Sequence, residues 1–230
     1  GLERNHFSVI TGNNATELLP SGRQFLQALL RAIYAAKNHI HIETYIIEDD
    51  AIGQLVADAL ADKAREGVEV RLLYDDVGCW RVPEAFFLRL EKAGVRCAAF
   101  EPVRFPSLTR KVNYRNHRKV CIIDGHTGFI GGMNLALRYA PLRAADWLDM
   151  QLQLKGESVC ALQRIFLSDW FFVTEELKTE QSYFPSSTET FGRQLTQIVF
   201  STPFAQYSEI AYSLSWLIQN ARNYIYIQSP

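Results

Sequence analysis

The stretch that decides the fold runs Asn116-His117-Arg118-Lys119-Val120-Cys121-Ile122-Ile123-Asp124-Gly125 and is followed by Gly131-Gly132-Met133-Asn134. Residues 120–123 are apolar and β-prone, which predicts a buried strand. Side chains alternate along a strand, so His117 and Lys119 should lie on the same side of the strand's entry. Asp124-Gly125 predicts a turn, and residues 129–130 predict a return strand. The stretch therefore predicts a β-hairpin.

This hairpin would gather groups with a shared chemistry. His117 supplies an imidazole, Lys119 an ammonium and Asn134 an amide, while Gly131 and Gly132 let the backbone, with bare N–H groups, approach a ligand. Phosphoryl transfer needs a nucleophile together with donors for the phosphate oxygens. A single His before a strand is usually structural, but the whole pattern over eighteen residues is far more specific. The pattern predicts a phosphoryl-transfer site.

The overall charge points to no partner, whereas the local charge does. The chain has 230 residues, is 48% hydrophobic and carries a formal net charge of -1, which is ordinary globular composition. Between residues 104 and 119 there are basic residues and no acid. Such a run is often only a solvated face, but before this motif it predicts an entrance for an anionic substrate, either lipid phosphate or a nucleic-acid backbone. The basic residues are Arg104, Arg110, Lys111, Arg115, Arg118 and Lys119.

Two further polar groups are candidates for a site. His39, His41 and Glu43 would share one face of a strand, but a zinc site needs three or four ligands and no further His or Cys lies nearby. We therefore expect polar strand positions there and no metal. Asp75 and Asp76 follow a predicted parallel strand, where sites of α/β proteins collect, and adjacent acids are equally common as loop caps.

The cysteine pattern and the hydropathy indicate the cellular environment of the chain. No CxxC pair occurs, so we expect four free thiols in a reducing compartment. No stretch reaches about eighteen consecutive apolar residues, so no membrane span is expected. The first residues lack signal-peptide character, and the chain is expected to be cut from a longer protein. The cysteines are Cys79, Cys97, Cys121 and Cys160.

Alternating elements set the fold class. Strand and helix patterns alternate between residues 39 and 100, with predicted strands at 39–46, 68–74 and 95–100. Such alternation is typical of parallel β-α-β units, so we predict an α/β fold with a mixed, largely parallel β-sheet flanked by helices on both faces. Residues 1–174 would form the first domain and residues 175–190 a polar linker.

The last forty residues repeat an earlier part of the chain. The segment 221–229 matches 36–44 without a gap, at an offset of 221 − 36 = 185. The preceding helices agree as well, since Leu29 matches Leu214 and Ile33 matches Ile218. Residues 191–230 are therefore predicted to begin a second, truncated repeat, with the apolar side of its helix facing inward.

The hairpin motif resembles the HxKxxxxD signature of the phospholipase D superfamily, with Gly132 where that family has Ser in GSxN. Within the superfamily the chain is similar to bacterial cardiolipin synthases, through HIETYIIEDDAIG, EGVEVRLLYDDVG, PVRFPSLTRKVNYRNHRKVCIIDG and FLSDW. The resemblance implies a phospholipase D-like fold of two homologous halves, each contributing one HxK motif to a shared site. The second motif is not found within residues 1–230.

The resemblance also implies a reaction and a role for each residue. His117 would attack phosphatidylglycerol to form a phosphatidyl-histidine, or act as the acid partner. Lys119 and Asn134 would hold phosphate oxygens, and Asp124 would support the hairpin. Asp149 is the candidate that orients the nucleophile, with Asp146 as its rival. No cofactor or metal is implied.

The implied partners are phosphatidylglycerol, an anionic membrane surface and the second half of the protein. The chain would act peripherally at the cytoplasmic side of a bacterial membrane and be soluble by itself, and two copies could pair. No nucleic-acid partner is expected. Two alternatives remain open: a phospholipase D-type nuclease completed by dimerisation, and a catalytically silent chain that binds anionic head groups.

Overall fold

The computed structural model describes residues 8–100, 117–140, 149–186, 188–201 and 208–227. The helices are α1 (Gly22–Ala35), α2 (Ala51–Arg65), α3 (Glu84–Lys92), α4 (Val159–Thr174) and α5 (Glu209–Asn220). The strands are β1 (Ile10–Thr11), β2 (Asn14–Leu19), β3 (His39–Thr44), β4 (Glu69–Asp75), β5 (Arg96–Phe100), β6 (Val120–Ile123), β7 (Thr127–Gly131), β8 (Gln151–Gly156) and β9 (Thr196–Gln197). Two 3-10 turns lie at Leu137–Tyr139 and Gln181–Tyr183.

Seven strands form one mixed sheet in the order β2-β8-β7-β6-β3-β4-β5. The pairs β3–β4 and β4–β5 are parallel, and the other four pairs are antiparallel. The predicted mixed sheet is confirmed, but the expectation that it is largely parallel is wrong. The β-α-β pattern covers only residues 39–100, and the strands on the other side are joined by a hairpin and a meander, which run antiparallel.

Helices cover both faces of the sheet, as predicted. On one face, α1, α2 and α3 bury an apolar cluster with Ile40 and Ile42 of β3. On the other face, α4 buries Phe166 and Trp170 against Val120 and Ile122 of β6. The central strands are therefore removed from water on both sides, so their polar side chains need partners within the protein.

Local signals in the sequence set the helix ends. Ser21 caps α1 by accepting from the N–H of Gln24 at 3.3 Å. Asp50 caps α2 by accepting from the N–H of Ile52 at 2.9 Å and from that of Gly53. These caps satisfy backbone donors that the first helical turn leaves unpaired.

The hairpin turn has the conformation that its sequence requires. Asp124 and Gly125 have positive φ values of 51° and 69°, and the N–H of His126 donates to the carbonyl of Ile123. Two successive left-handed residues favour Asp-Gly, because few other residues adopt that backbone without strain. The predicted turn and return strand are confirmed.

The α4 face of β3 carries a buried polar network. His39 Nε2 lies 3.1 Å from Oε1 of Gln163 on α4, and the Gln163 amide lies 2.9 Å from Nδ1 of His41. The His41 ring also stacks on Phe166 with a centroid distance of 4.6 Å. The predicted polar strand positions therefore bind a helix more than 120 residues further along the chain.

The network continues to the segment that we predicted to be a linker. His41 Nε2 lies 3.3 Å from Glu69, which also binds the buried Arg71. The hydroxyl of Tyr183 donates to Glu69 at 2.7 Å, and Tyr183 is buried. The 3-10 turn at 181–183 therefore closes the network, and this part of residues 175–190 packs on the sheet instead of crossing solvent. Tyr183 anchors this segment within a largely polar sequence.

Two elements lie outside these cores. β9 pairs with β1, so residues placed in the second repeat join the start of the chain. The prediction that the apolar side of α5 faces inward is wrong for the described residues, because Leu214 and Leu217 are 55% and 59% exposed.

In the described residues, no helix is both long and apolar enough to cross a membrane. All four cysteines are free thiols, as expected.

The buried histidines predict acid-sensitive folding. Burial, reinforced by the neighbouring His41, lowers the pKa of His39 from 6.5 to about 4, and burial also lowers the pKa of His41. The unfolded chain then binds more protons than the folded chain below pH 6.5, so stability falls as the pH drops from there toward 4. His39 alone accounts for at most about 3 kcal/mol of this loss. The pKa of Glu69 is lowered by its hydrogen bonds to His41, Tyr183 and Arg71 although burial opposes this, so further stability is lost below pH 4.5.

Urea unfolding followed by circular dichroism at several pH values measures this dependence. His39→Gln should flatten the decline between pH 6.5 and 4, because the amide cannot take up a proton there. His126→Gln is the matched control, since His126 lies outside the network and contacts Thr127. Equal slopes for His39→Gln and the unsubstituted protein would contradict the assignment.

Candidate active site

The candidate site lies where four strand ends meet at one end of the sheet. Because β6 runs antiparallel to β3 and β7 antiparallel to β6, the end of β3, the start of β6 and the end of β7 are adjacent. The start of β8 joins them through its antiparallel pairing with β7. This topology brings residues 45–46, 117–119, 131–134 and 149–151 together.

His117 is exposed and is oriented by an aromatic ring. Its imidazole stacks on Tyr45, which directly follows β3, with a centroid distance of 4.1 Å and an interplanar angle of 17°. Lys119 Nζ lies 5.5 Å from the same ring centroid and donates to the carbonyl of His117 at 2.7 Å. The predicted same-side arrangement of His117 and Lys119 is confirmed, and Tyr45 is the surface that both contact.

Lys119 lies in a partly desolvated position. Burial lowers the pKa of its ammonium below the usual 10.5, and the negative charge of Asp149 opposes that shift. A half-buried ammonium has few waters around it, so it interacts more strongly with an incoming anion. Asp149 is thus the carboxylate whose charge favours the protonated form of Lys119.

Asn134 is held by both ends of its amide. Its Oδ1 accepts from the N–H of Ile46 at 3.0 Å, and its Nδ2 donates to the hydroxyl of Tyr139 at 2.7 Å. The residue is buried, and Leu135 continues the contact by donating its N–H to the carbonyl of Ile46. Asn134 therefore ties the segment after β7 to the end of β3.

Gly131 and Gly132 approach protein rather than open space. A Cβ on Gly132 would meet the carboxylate of Asp149, and one on Gly131 would meet the backbone of Met150. The N–H of Gly132 donates to the carbonyl of Met150 at 3.3 Å, so it is not the bare donor that we expected. The glycines instead let β8 deliver Asp149 into the site.

Asp149 lies beside the motif without bonding to its histidine. Its Oδ1 accepts from the N–H of Met150 at 2.7 Å. Within the ranges that the structure describes, no hydrogen bond joins this carboxylate to the ring of His117. The orienting role assigned to Asp149 remains a prediction, and its rival Asp146 lies outside the described residues.

Asp124 lies at the opposite end of β6. Its carboxylate accepts from the N–H groups of Lys37, Asn38 and His39 at 2.8 to 3.0 Å. It therefore joins the hairpin turn to the junction between α1 and β3, which agrees with the expected support of the hairpin. This position is a strand length away from His117.

The remaining candidates are the acidic pair after β4, a metal site and the basic run before the motif. Asp75 accepts from the N–H of Gly78 at 2.8 Å, which is the behaviour of a loop cap. Among the described residues, no group of three or more His, Cys, Asp and Glu side chains could hold a metal ion. Four residues of the predicted basic entrance lie outside the described residues, namely Arg104, Arg110, Lys111 and Arg115.

Two residues in or next to the motif have contacts that the sequence reasoning missed. Tyr45 appeared only as one position of a strand, although a large aromatic directly after a central strand is a usable signal. Arg118 was counted only as one charge of a basic run, yet it contacts Asp169 on α4. Neither contact is visible from local spacing, because each joins distant parts of the chain.

The sequence that forms this site matches a known family. A family model described as cardiolipin synthase, PLD-like domain matches residues 29–170. The chain belongs to this family. It is 39% identical over 224 residues to a cardiolipin synthase of Alkalihalophilus pseudofirmus and 40% identical over 226 residues to cardiolipin synthase 2 of Bacillus anthracis. Both alignments cover 96% of this chain and 44% of the relative. The chain thus spans less than half the length of these relatives.

Solved structures share the fold. Nuc, a phospholipase D family member from Salmonella typhimurium, aligns with a TM-score of 0.53 and 18% identity, covering 68% of this chain and 94% of that one. Phosphatidylserine synthase of Haemophilus influenzae aligns with a TM-score of 0.55 and 18% identity, covering 73% and 41%. These likenesses confirm the predicted phospholipase D-like fold.

The position of Lys119 generates a prediction about charge. Asp149→Asn should lower the pKa of Lys119 further, because the carboxylate is the group that raises it against burial. NMR titration of the lysine ε-carbon measures this value. Asp49→Asn is the control, since Asp49 bonds to Gln54 away from the site. An unchanged or raised pKa of Lys119 in the Asp149→Asn variant would show that the two groups do not interact.

Proposed function

We propose that this chain provides one half of the active site of a cardiolipin synthase-like phosphatidyltransferase. The observation that carries the proposal is the exposed imidazole of His117 beside the half-buried ammonium of Lys119, in a chain of this family. An imidazole is a nucleophile and the ammonium is a counter-charge for phosphate oxygens. The anchored amide of Asn134 fixes the segment after β7 against the end of β3, beside these two groups.

The proposed reaction has two displacements. In the first, a ring nitrogen of His117 forms a bond to phosphorus of phosphatidylglycerol, the bond to the glycerol oxygen breaks, and glycerol leaves with a proton from an acid. In the second, a glycerol hydroxyl of another phosphatidylglycerol gives its proton to the conjugate base of that acid and attacks phosphorus. The bond to His117 then breaks, giving cardiolipin and regenerating the imidazole. Lys119 balances the phosphate charge in both steps.

The same reaction needs a group that one histidine cannot supply. An imidazole bonded to phosphorus cannot also protonate a leaving group on the opposite side. The repeat offset of 185 would place the counterpart of His117 at 117 + 185 = 302. We propose that a second half of the protein brings this partner, with residues 191–230 as its start. His117 and its counterpart then share the nucleophile and acid roles between them.

Binding would occur at an anionic membrane surface. Arg104, Arg110, Lys111 and Arg115 precede the motif with no intervening acid, so they would draw lipid phosphates toward His117. Such attraction is screened by salt. We place the protein at the cytoplasmic side of a bacterial membrane on this ground and on its family.

The nucleophile assignment predicts the behaviour of His117→Ala in the full-length protein. Transfer from phosphatidylglycerol should fall by at least about 1000-fold while the fold is kept, because the covalent step is lost. A denaturing quench during turnover of lipid labelled in its phosphatidyl group should leave label on the unsubstituted protein, and peptide mapping should find it on His117 or its counterpart.

His126→Ala is the control, since that histidine lies at the other end of the hairpin. Near-normal transfer by His117→Ala would contradict the proposal. Hydrolysis of single-stranded DNA in place of lipid turnover would favour the nuclease alternative.

The shared site predicts that residues 1–230 alone are a poor catalyst. Their transfer rate should be at least about 100-fold below that of the full-length protein, because the acid partner is absent. Assays on phosphatidylglycerol combined with light scattering test this. Activity that appears only in a dimer would mean that two copies of His117 complete one site. Rapid transfer by a monomer would refute the half-site argument.

A further inference from the structure

Arg118 lies between the two motif residues but faces the other side of the sheet. Val120 and Ile122 belong to the apolar cluster under α4, and strand alternation directs Arg118 to that same face. His117 and Lys119 contact Tyr45 on the opposite side. The side chain between them is therefore available to fix their backbone without touching their substrate.

The guanidinium of Arg118 joins three separate elements. One terminal nitrogen donates to the carboxylate of Asp169 on α4 and lies 4.0 Å from the carboxylate of Glu43 on β3. The other donates to the carbonyl of Ser201 at 2.9 Å. A forked, planar cation can serve two acceptors in different directions at once, which an ammonium cannot.

These contacts lie in a desolvated environment. The side chain of Glu43 is 2% exposed, that of Asp169 is 15% exposed and that of Arg118 is 22% exposed. Partly buried ion pairs are screened little by solvent, and removing the cation would leave two carboxylates near each other. The position of Arg118 is therefore strongly determined, and so is the backbone on either side of it.

The third contact reaches the segment that leads to α5. The hydroxyl of Ser201 accepts from the N–H of Ile210 at 3.1 Å and lies 3.2 Å from that of Ser208, the N-cap of α5. Arg118 thus connects the backbone of the motif to the first helix of the second repeat.

We infer that Arg118, held by Asp169 and Glu43, is a positioning residue that sets the placement of His117 and Lys119 and couples the motif to the segment beginning the second repeat. The inference rests on the proposed function where it is tested by lipid transfer. Where it is tested by the contact between His117 and Tyr45, it rests on geometry alone. Arg118 acts through the backbone and not on the lipid, so its loss should lower kcat with little effect on KM.

The activity test uses the full-length protein with Arg118→Ala, Arg118→Lys and Asp169→Asn. We expect Arg118→Ala to lower kcat by about 10- to 100-fold, since small displacements of reacting groups have effects of that size. The KM for phosphatidylglycerol in mixed micelles should stay within about two-fold, because substrate binding is retained. The kcat of Arg118→Lys should lie between those of Arg118→Ala and the unsubstituted protein. Added guanidinium ion should restore part of the kcat of Arg118→Ala.

The matched control is Arg96→Ala. Arg96 also joins a sheet strand to residues beside α4, through Glu176 at 2.7 Å, but it lies far from the motif. We expect its kcat to change by less than about two-fold, as for an exposed ion pair. If Arg96→Ala and Arg118→Ala lowered kcat equally, the loss would come from weaker packing of α4 on the sheet. That result would overturn the inference.

A second readout does not depend on activity. NMR of protein labelled in its His and Tyr rings should show a cross-relaxation peak between His117 and Tyr45, whose ring centroids lie 4.1 Å apart. The peak should weaken in Arg118→Ala and Asp169→Asn and persist in Arg96→Ala. An unchanged peak in both variants would overturn the inference. If the unsubstituted protein transfers no lipid, the proposed function fails, and this peak still decides the role of Arg118.

Discussion

The structure depends on a central strand that has no side facing water. All six residues of β3 are buried, with isoleucines toward α1 and α2 and with His39, His41 and Glu43 toward α4. A buried polar group without a partner costs about 1–3 kcal/mol, so these side chains dictate what may cover them. Hydrophobic surface alone would accept α4 in many orientations. A helix that must place Gln163 between two imidazoles is restricted to one.

The same strand decides where chemistry can occur. β3 pairs in parallel with β4 on one side and antiparallel with β6 on the other, so its end meets the beginning of the motif strand. Tyr45 leaves the sheet at that point and becomes the platform for His117. Open α/β sheets usually carry their sites at the ends of parallel strands. In this protein the reversal of strand direction brings the imidazole and the ammonium to that edge.

Local signals were predictable from the sequence, and long-range partnerships were not. The Asp124-Gly125 turn was predicted because it depends on neighbours within a few residues, and the caps at Ser21 and Asp50 depend on equally local contacts. β2 was missed because its six residues show no clear alternation and owe their extended form to pairing with β8. Tyr183 was hidden in a polar stretch, since nothing near it reveals Glu69. In the site, residue types identified His117 and Lys119. That Gly132 leaves room for the carboxylate of Asp149, and that this carboxylate acts on Lys119, could be seen only in the folded structure.

The hold on the Asp124 carboxylate has a consequence for chemical ageing. An aspartate followed by glycine is prone to cyclise, when the nitrogen of the glycine attacks the side-chain carboxyl carbon and the chain later reopens as isoaspartate. Three N–H groups of residues 37–39 fix this carboxylate by hydrogen bonds, which restrict its rotation toward the nitrogen of Gly125. The native turn is thereby protected, and the reaction must await opening of the junction between α1 and β3. Slow accumulation of isoaspartate at this one position would record how often that corner of the protein comes apart.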